Sequence, residues 1–197
     1  MAFASEDPVA PPGAPAGWRA DAERVDVALY AAIAQTPTPS LDRAMARLSS
    51  AADYSRLSLA SAAVLAAAGG RRGRRAAVMG LATVTAASGV VNLGLKPLGR
   101  RRRPDRAAKQ VPVARHVRMP ASTSFPSGHS AAAFAFATGV GHVLPPAAVP
   151  LRALAALVAY SRVHTGVHYP ADVVTGALLG TAVAQATTYA LEHARTG

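Results

Sequence analysis

The sequence predicts an all-α fold, and more narrowly an integral membrane helical bundle of about five core helices, on three observations. Hydrophobic residues make up 51% of the chain but aromatic ones only 5%, and the excess is largely alanine, which favours helix over strand. Residues 76–95, "AAVMGLATVTAASGVVNLGL", run for twenty positions without a charge, the length that crosses a hydrocarbon core of about 30 Å. Polar residues gather in the N-terminal part and in the joints, which leaves the 76–95 segment apolar on every face. A water-soluble Ala-rich bundle competes with this reading, because the mean hydropathy is only +0.20, but it does not explain why the charges avoid that segment.

Taken in order, residues 1–20 are rich in Pro, Ala and Gly without apolar periodicity and read as a disordered tail. "DAERVDVALYAAIAQ", 21–35, carries acids in its first turn and reads as a short amphipathic helix stopped by "TPTPS". A long helix is expected from Ser40 to the Gly69-Gly70 pair, lipid-compatible over 57–68. "RRGRR" then precedes the charge-free helix 76–95, and a polar segment, 96–128, carries nine Lys or Arg residues. Apolar helices are expected over 129–144, 150–163 and 170–190. The organisation is therefore an N-terminal tail with a short amphipathic helix, 1–40, followed by a membrane-embedded domain, 41–197.

The net charge of +11 implies attraction to polyanions, whether nucleic acid, anionic lipid or a phosphorylated substrate. The absence of cysteine excludes disulfides, zinc-thiolate sites and a cysteine nucleophile. No basic-then-apolar leader opens the chain, so the helices themselves are expected to direct membrane insertion.

Three clusters carry chemistry. In "KPLGRRRRP", 96–104, Pro97 and Gly99 prevent regular helix and leave a loop of cations. It is either a basic patch flanking a membrane or a phosphate clamp, since guanidinium forks match phosphate oxygens and a lysine adds a point charge. In "FPSGHSAAAFAF", Ser127-Gly128-His129 opens an apolar helix whose free amides and dipole suit an anion; Ser127 as a plain N-cap is the alternative. In "SRVHTGVHYPAD", Pro170 suits the first helical position, which puts His168 just outside a helix start and Asp172 in its first turn. A carboxylate accepting the Nδ1–H of an imidazole leaves the Nε2 lone pair free to attack. Arg162 ends the helix before it. Helix capping by Asp172 beside a surface histidine is the plainer reading.

Together the clusters offer complementary parts of one reaction. Lys96 with Arg103-Pro104, then Pro126-Ser127-Gly128-His129, then Ser161-Arg162 with His168 and Asp172 match K-x6-R-P, P-S-G-H and S-R-x5-H-x3-D without departure. The chain resembles the type 2 phosphatidic acid phosphatase superfamily, which includes bacterial acid phosphatases and vanadium haloperoxidases. The resemblance covers roughly residues 57–191. It implies that His168 is the nucleophile that forms a phosphohistidine, that Asp172 orients it and that His129 protonates the leaving oxygen. It also implies that Lys96, Arg103, Arg162, Ser127 and the Gly128 amide hold the phosphoryl oxygens, with no metal and no cofactor. A neutral His168 and a protonated His129 predict a bell-shaped pH profile.

For the remaining polar residues, His164 is expected near the pocket, His142 in the apolar core, and His116 and His193 at the surface. Arg100, Arg101, Arg102 and Arg106 are read as contacts for a second phosphate or lipid head groups. A site at helix ends near the membrane surface fits a lipid phosphate or polyprenyl diphosphate substrate, with membrane lipids as surroundings and no nucleic acid. The expected location is a bacterial plasma membrane, multi-pass, with the site on the outer face; "RRGRR" then lies inside, although the cations of 96–128 lie against that rule. A vanadate-dependent haloperoxidase-like enzyme and a non-catalytic basic protein binding membranes or nucleic acid are the rival readings.

Overall fold

The computed structural model describes residues 17–194; most of the expected tail lies outside them. Within that range the chain forms seven α-helices, α1 Trp18–Gln35, α2 Pro39–Ala51, α3 Arg56–Ala68, α4 Gly70–Gly89, α5 Gly128–Val143, α6 Pro145–His164 and α7 Pro170–His193. No strand occurs among the described residues. Proline supplies the first helical residue of α2, α6 and α7, where its missing N–H would have had no partner.

Helix α5 is the central post. It joins α3 and α4 in one cluster around Ala76, Ala77, Val84, Ala132, Phe136 and Val140, and α4 and α7 in a second of three alanines, Ala87, Ala135 and Ala184. Such small side chains permit close helix approach. At the α5–α7 crossing a Cβ on Gly176 would lie 2.4 Å from the Ser127 carbonyl oxygen, and one on Gly180 2.1 Å from that of Ala131. Glycine is therefore required at both, and it fixes the starts of α5 and α7 against each other. A third cluster, of Tyr30, Ala34, Val111, Ala159, Val163 and Val173, seals α1 onto α6 and α7.

Several helix boundaries differ from expectation; α6, expected from 150, begins at Pro145 and carries Pro150 inside it. The long helix anticipated from Ser40 to Gly69-Gly70 is broken by a 3₁₀ turn, Asp53–Ser55, in which Tyr54 (φ 56°) and Ser55 (φ 57°) are left-handed. Neither is a glycine, so tertiary contacts of the turn hold a conformation its own sequence disfavours. Helix α4 starts at Gly70, six residues earlier than the charge-free run, and takes the arginines of "RRGRR" into its first turns with their side chains exposed. At its other end the helix widens into a π-helical turn, Val90–Leu95, and closes with a 3₁₀ turn, Lys96–Leu98. Among the described residues one helix is long and apolar enough to cross a membrane, the continuous Gly70–Leu98.

Candidate active site

The three clusters meet where α5 and α7 begin and α6 ends. Ser127 caps α5, its Oγ accepting the Ser130 amide at 3.4 Å, while its own N–H donates to the Asp172 carbonyl at 3.0 Å. The side chain of Ser127, fully buried, thus caps α5, and its N–H ties that start to α7. Gly128 contributes the first amide of the helix, one of the donors no helical carbonyl can reach. The π-helical turn carries Lys96 to this point: a Cβ on Gly128 would lie 3.6 Å from Lys96 Nζ, which also donates to Ser122 Oγ at 3.1 Å.

His168 sits in the α6–α7 loop, 1% exposed. Its Nε2 lies 3.2 Å from Arg103 Nη1 and its Nδ1 3.4 Å from Asp172 Oδ2. A guanidinium can only donate. Nε2 therefore accepts and carries the lone pair, and the ring proton is on Nδ1, facing the carboxylate. Burial is the largest influence on this imidazole; with the Arg103 and Arg162 charges it outweighs the Asp172 carboxylate and pulls the ring down to about 4. His168 is neutral at neutral pH.

Asp172 is held on every side. Oδ2 accepts from the Tyr169 amide at 2.9 Å, which closes a capping box at the start of α7, and from Ser124 Oγ at 2.5 Å. Oδ1 accepts from Arg101 Nη1 at 2.8 Å. Arg103 donates to the carbonyls of Ser122 and Val167, each at 2.8 Å, so its plane is fixed beside His168. Arg162 is buried, donates to Ser49 Oγ at 2.7 Å and lies 3.6 Å from Asp53 Oδ1. Its Nε is buried without a partner. His129 Nε2 is 2.9 Å from that same Asp53 oxygen. The acid of the 3₁₀ turn thus stands between His129 and Arg162. Two cavities, of about 180 and 320 Å³, meet at His129 and Tyr54; the first extends past Lys96 and Gly128 to Leu57, Ala132 and Val158, the second to Arg118 and Met119.

The polar residues outside the motifs are placed less as expected. Arg101, read as a contact for a second phosphate or head group, is instead paired with Asp26 at 2.5 Å and with Asp172. Arg106 donates to the Val117 carbonyl at 2.8 Å. His142 is not in the core; it is exposed and 2.7 Å from Glu192 on α7. His164 is buried, but 3.0 Å from Asp42 and away from His168's partners. His116, exposed as expected, lies 3.0 Å from the Val111 carbonyl. Sequence reasoning missed Asp26, Asp53 and Ser124. Asp53 gave no signal of its own, since an acid in the amphipathic first half of the expected 40–70 helix, where Asp42 also lies, is unexceptional.

The model of the PAP2 superfamily matches residues 77–195, more than half of the chain. Two curated relatives, both decaprenylphosphoryl-5-phosphoribose phosphatases from Mycobacterium tuberculosis strains, are 42% identical over 93 residues, which is 45% of this chain and 47% of theirs. The chain thus spans about half the length of the curated relatives it matches. The crystal structure of a transmembrane PAP2-type phosphatidylglycerolphosphate phosphatase from Bacillus subtilis is similar with a TM-score of 0.66 at 26% identity, over 88% of this chain and 87% of that one. Aquifex aeolicus LpxE shares the fold, with a TM-score of 0.65 at 24% identity over 84% of this chain and 95% of its own.

Proposed function

Since this chain belongs to the PAP2 superfamily, we propose that it hydrolyses a lipid-borne phosphate monoester or a polyprenyl diphosphate through a phosphohistidine at His168, without a metal. The observation that carries this reading is the His168 Nε2 lone pair, presented to the Arg103 guanidinium with Asp172 behind the ring. Arg103 turns its Nη1 from Nε2 to a phosphoryl oxygen as substrate enters. Nε2 attacks the terminal phosphorus, an N–P bond forms, and the P–O bond to the leaving oxygen, that of the lipid alcohol in a monoester or the bridging oxygen in a diphosphate, breaks as His129 gives that oxygen a proton. Water then attacks phosphorus, His129 takes back a proton, and the N–P bond breaks to release inorganic phosphate. Lys96, Arg103, Arg162 and the Gly128 amide neutralise the equatorial oxygens, which is most of what phosphoryl transfer requires. Ser127 supports this group by fixing the start of α5.

The apolar surface of the bundle supports a lipid-borne substrate. Val64, Val78, Leu93, Val149 and Leu178 point outward from several helices, each more than 60% exposed, a surface that suits lipid tails. We read the bundle as multi-pass in a bacterial plasma membrane. The arginines of "RRGRR" and Lys96 lie at opposite ends of one long helix, so cytoplasmic arginines put the site at the outer face. The curated relatives' name makes a polyprenyl-phosphoryl sugar phosphate the first compound to assay.

The test is transfer of ³²P from a labelled lipid phosphate to the protein in EDTA. Label that survives alkali and is lost in acid is expected; no label on rapid quenching, or dependence on added metal, overturns the mechanism. His129→Ala should lower kcat by about 10²–10⁴-fold with a lipid alcohol leaving group and far less with p-nitrophenyl phosphate, whose leaving group needs no proton. Because His168 must be neutral to attack, its limb is the acid one. In a bell-shaped kcat/KM profile corrected for substrate ionisation, the protonated His129 sets the alkaline limb and His168 the acid one, which should lie near pH 4. An acid limb near 6.5, the ordinary imidazole value, would contradict the buried, arginine-flanked ring.

A further inference from the structure

Helix α1 lies outside the matched residues 77–195 and outside all three motifs, yet it reaches the centre of the site. Asp26, 6% exposed, accepts the Ala171 amide on Oδ1 at 2.7 Å and Arg101 Nη2 on Oδ2 at 2.5 Å. It thereby takes up a free amide at the start of α7. The other end of the same guanidinium donates to Asp172 at 2.8 Å, and its plane lies over the Tyr169 ring, 4.2 Å from the centroid. Tyr30 of α1 packs edge-on against Tyr169 at 5.4 Å. One arginine therefore bridges two buried carboxylates, and only the second of them touches His168.

We propose that Asp26 and Arg101 are positioning residues of the phosphatase centre, and that through them α1 sets how much negative charge Asp172 presents to His168. The inference rests on His168 being the nucleophile. Arg101 divides its charge between the two acids. If Asp26 is neutralised, Arg101 acts on Asp172 undivided, and a negative charge is also lost from the neighbourhood; both changes disfavour a protonated His168. If Arg101 is neutralised, Asp172 faces His168 without a cation behind it, and protonation is favoured. The other charged or titratable groups around His168 are Arg103 from the 96–128 segment, Arg162 from α6 and His129 from α5, and neither substitution removes them.

This yields opposite effects from two substitutions that break the same ion pair. The acid limb of kcat/KM is compared for wild type, Asp26→Asn and Arg101→Gln in the full chain in detergent, with one lipid phosphate so that substrate ionisation is common to all. Arg101→Gln should move the limb up by about one pH unit, the usual effect of one nearby charge, and Asp26→Asn should move it down. A purely structural clamp would admit water in both variants and shift both limbs upward together. Limbs that move together, or stay in place, overturn the proposal. If Arg101→Gln does not fold, Asp26→Asn decides alone: a downward shift supports the proposal, and an upward or absent one overturns it. Full activity in His168→Ala would instead remove the underlying reading, so the two failures are distinguishable.

Discussion

His168→Ala should reduce phosphate release by about 10⁴-fold or more, the scale on which removal of a nucleophile acts when the rest of a catalytic group stays in place. The ring is the one group on which Arg103 and Asp172 both converge, so its loss removes the covalent step and leaves only the cations to polarise the ester. The variant should still fold, since Asp172 keeps Tyr169, Ser124 and Arg101 as donors and Arg103 keeps the Ser122 and Val167 carbonyls. Release from a panel of lipid phosphates and diphosphates, with a melting curve to confirm folding, checks this. A variant that keeps a tenth of wild-type activity would show that the bond-making atom lies elsewhere.

Arg115→Ala should be the most destabilising single change, at about 3–5 kcal/mol, because it leaves a buried carboxylate without its cation. Arg115 is fully buried. It donates to Asp42 at 2.8 Å, to the carbonyls of Ile33 at 2.9 Å and Thr36 at 2.6 Å, and to Thr38 Oγ1 at 3.0 Å. The C-terminal end of α1 and the start of α2 are thus fastened to the 111–116 segment by one side chain, and His164 reaches the same Asp42 from α6. A loss of this size lowers the melting temperature by roughly 10 °C for a chain of this length. Asp42→Asn combined with Arg115→Met should recover part of it, because no unpaired charge then remains. A single variant that melts within a degree or two of wild type would mean that water reaches Asp42.

The helices and the motif residues were legible in the sequence, and the partners of those residues largely were not. Pro170, Asp172 and His168 lie within one turn and the loop before it, so local geometry fixes their relation; the same holds for Ser127, Gly128 and the start of α5. Arg101 meets Asp26 and Asp172 across separations of 75 and 71 residues, and no periodicity reports which of four consecutive arginines turns inward. The 52–55 break was invisible for a related reason. Ala, Asp, Tyr and Ser without Gly or Pro read as continuing helix, and the contact that draws Asp53 out of it is with His129, 76 residues away. An apolar composition does not by itself bury a residue: α5 leaves His142 at its exposed end beside Glu192.

The left-handed pair Tyr54-Ser55 also bears on how far this protein can be improved as a stable object. Each of these residues sits where glycine would rest without penalty, and a left-handed residue that is not glycine costs about 1 kcal/mol or more. Ser55→Gly is thus an obvious stabilising replacement for anyone optimising heat resistance. The same replacement slackens the turn that aims Asp53 at His129 and shapes the mouth shared by the two cavities. At this one position a change that favours heat resistance works against turnover, so Ser55→Gly should melt higher than wild type and hydrolyse more slowly.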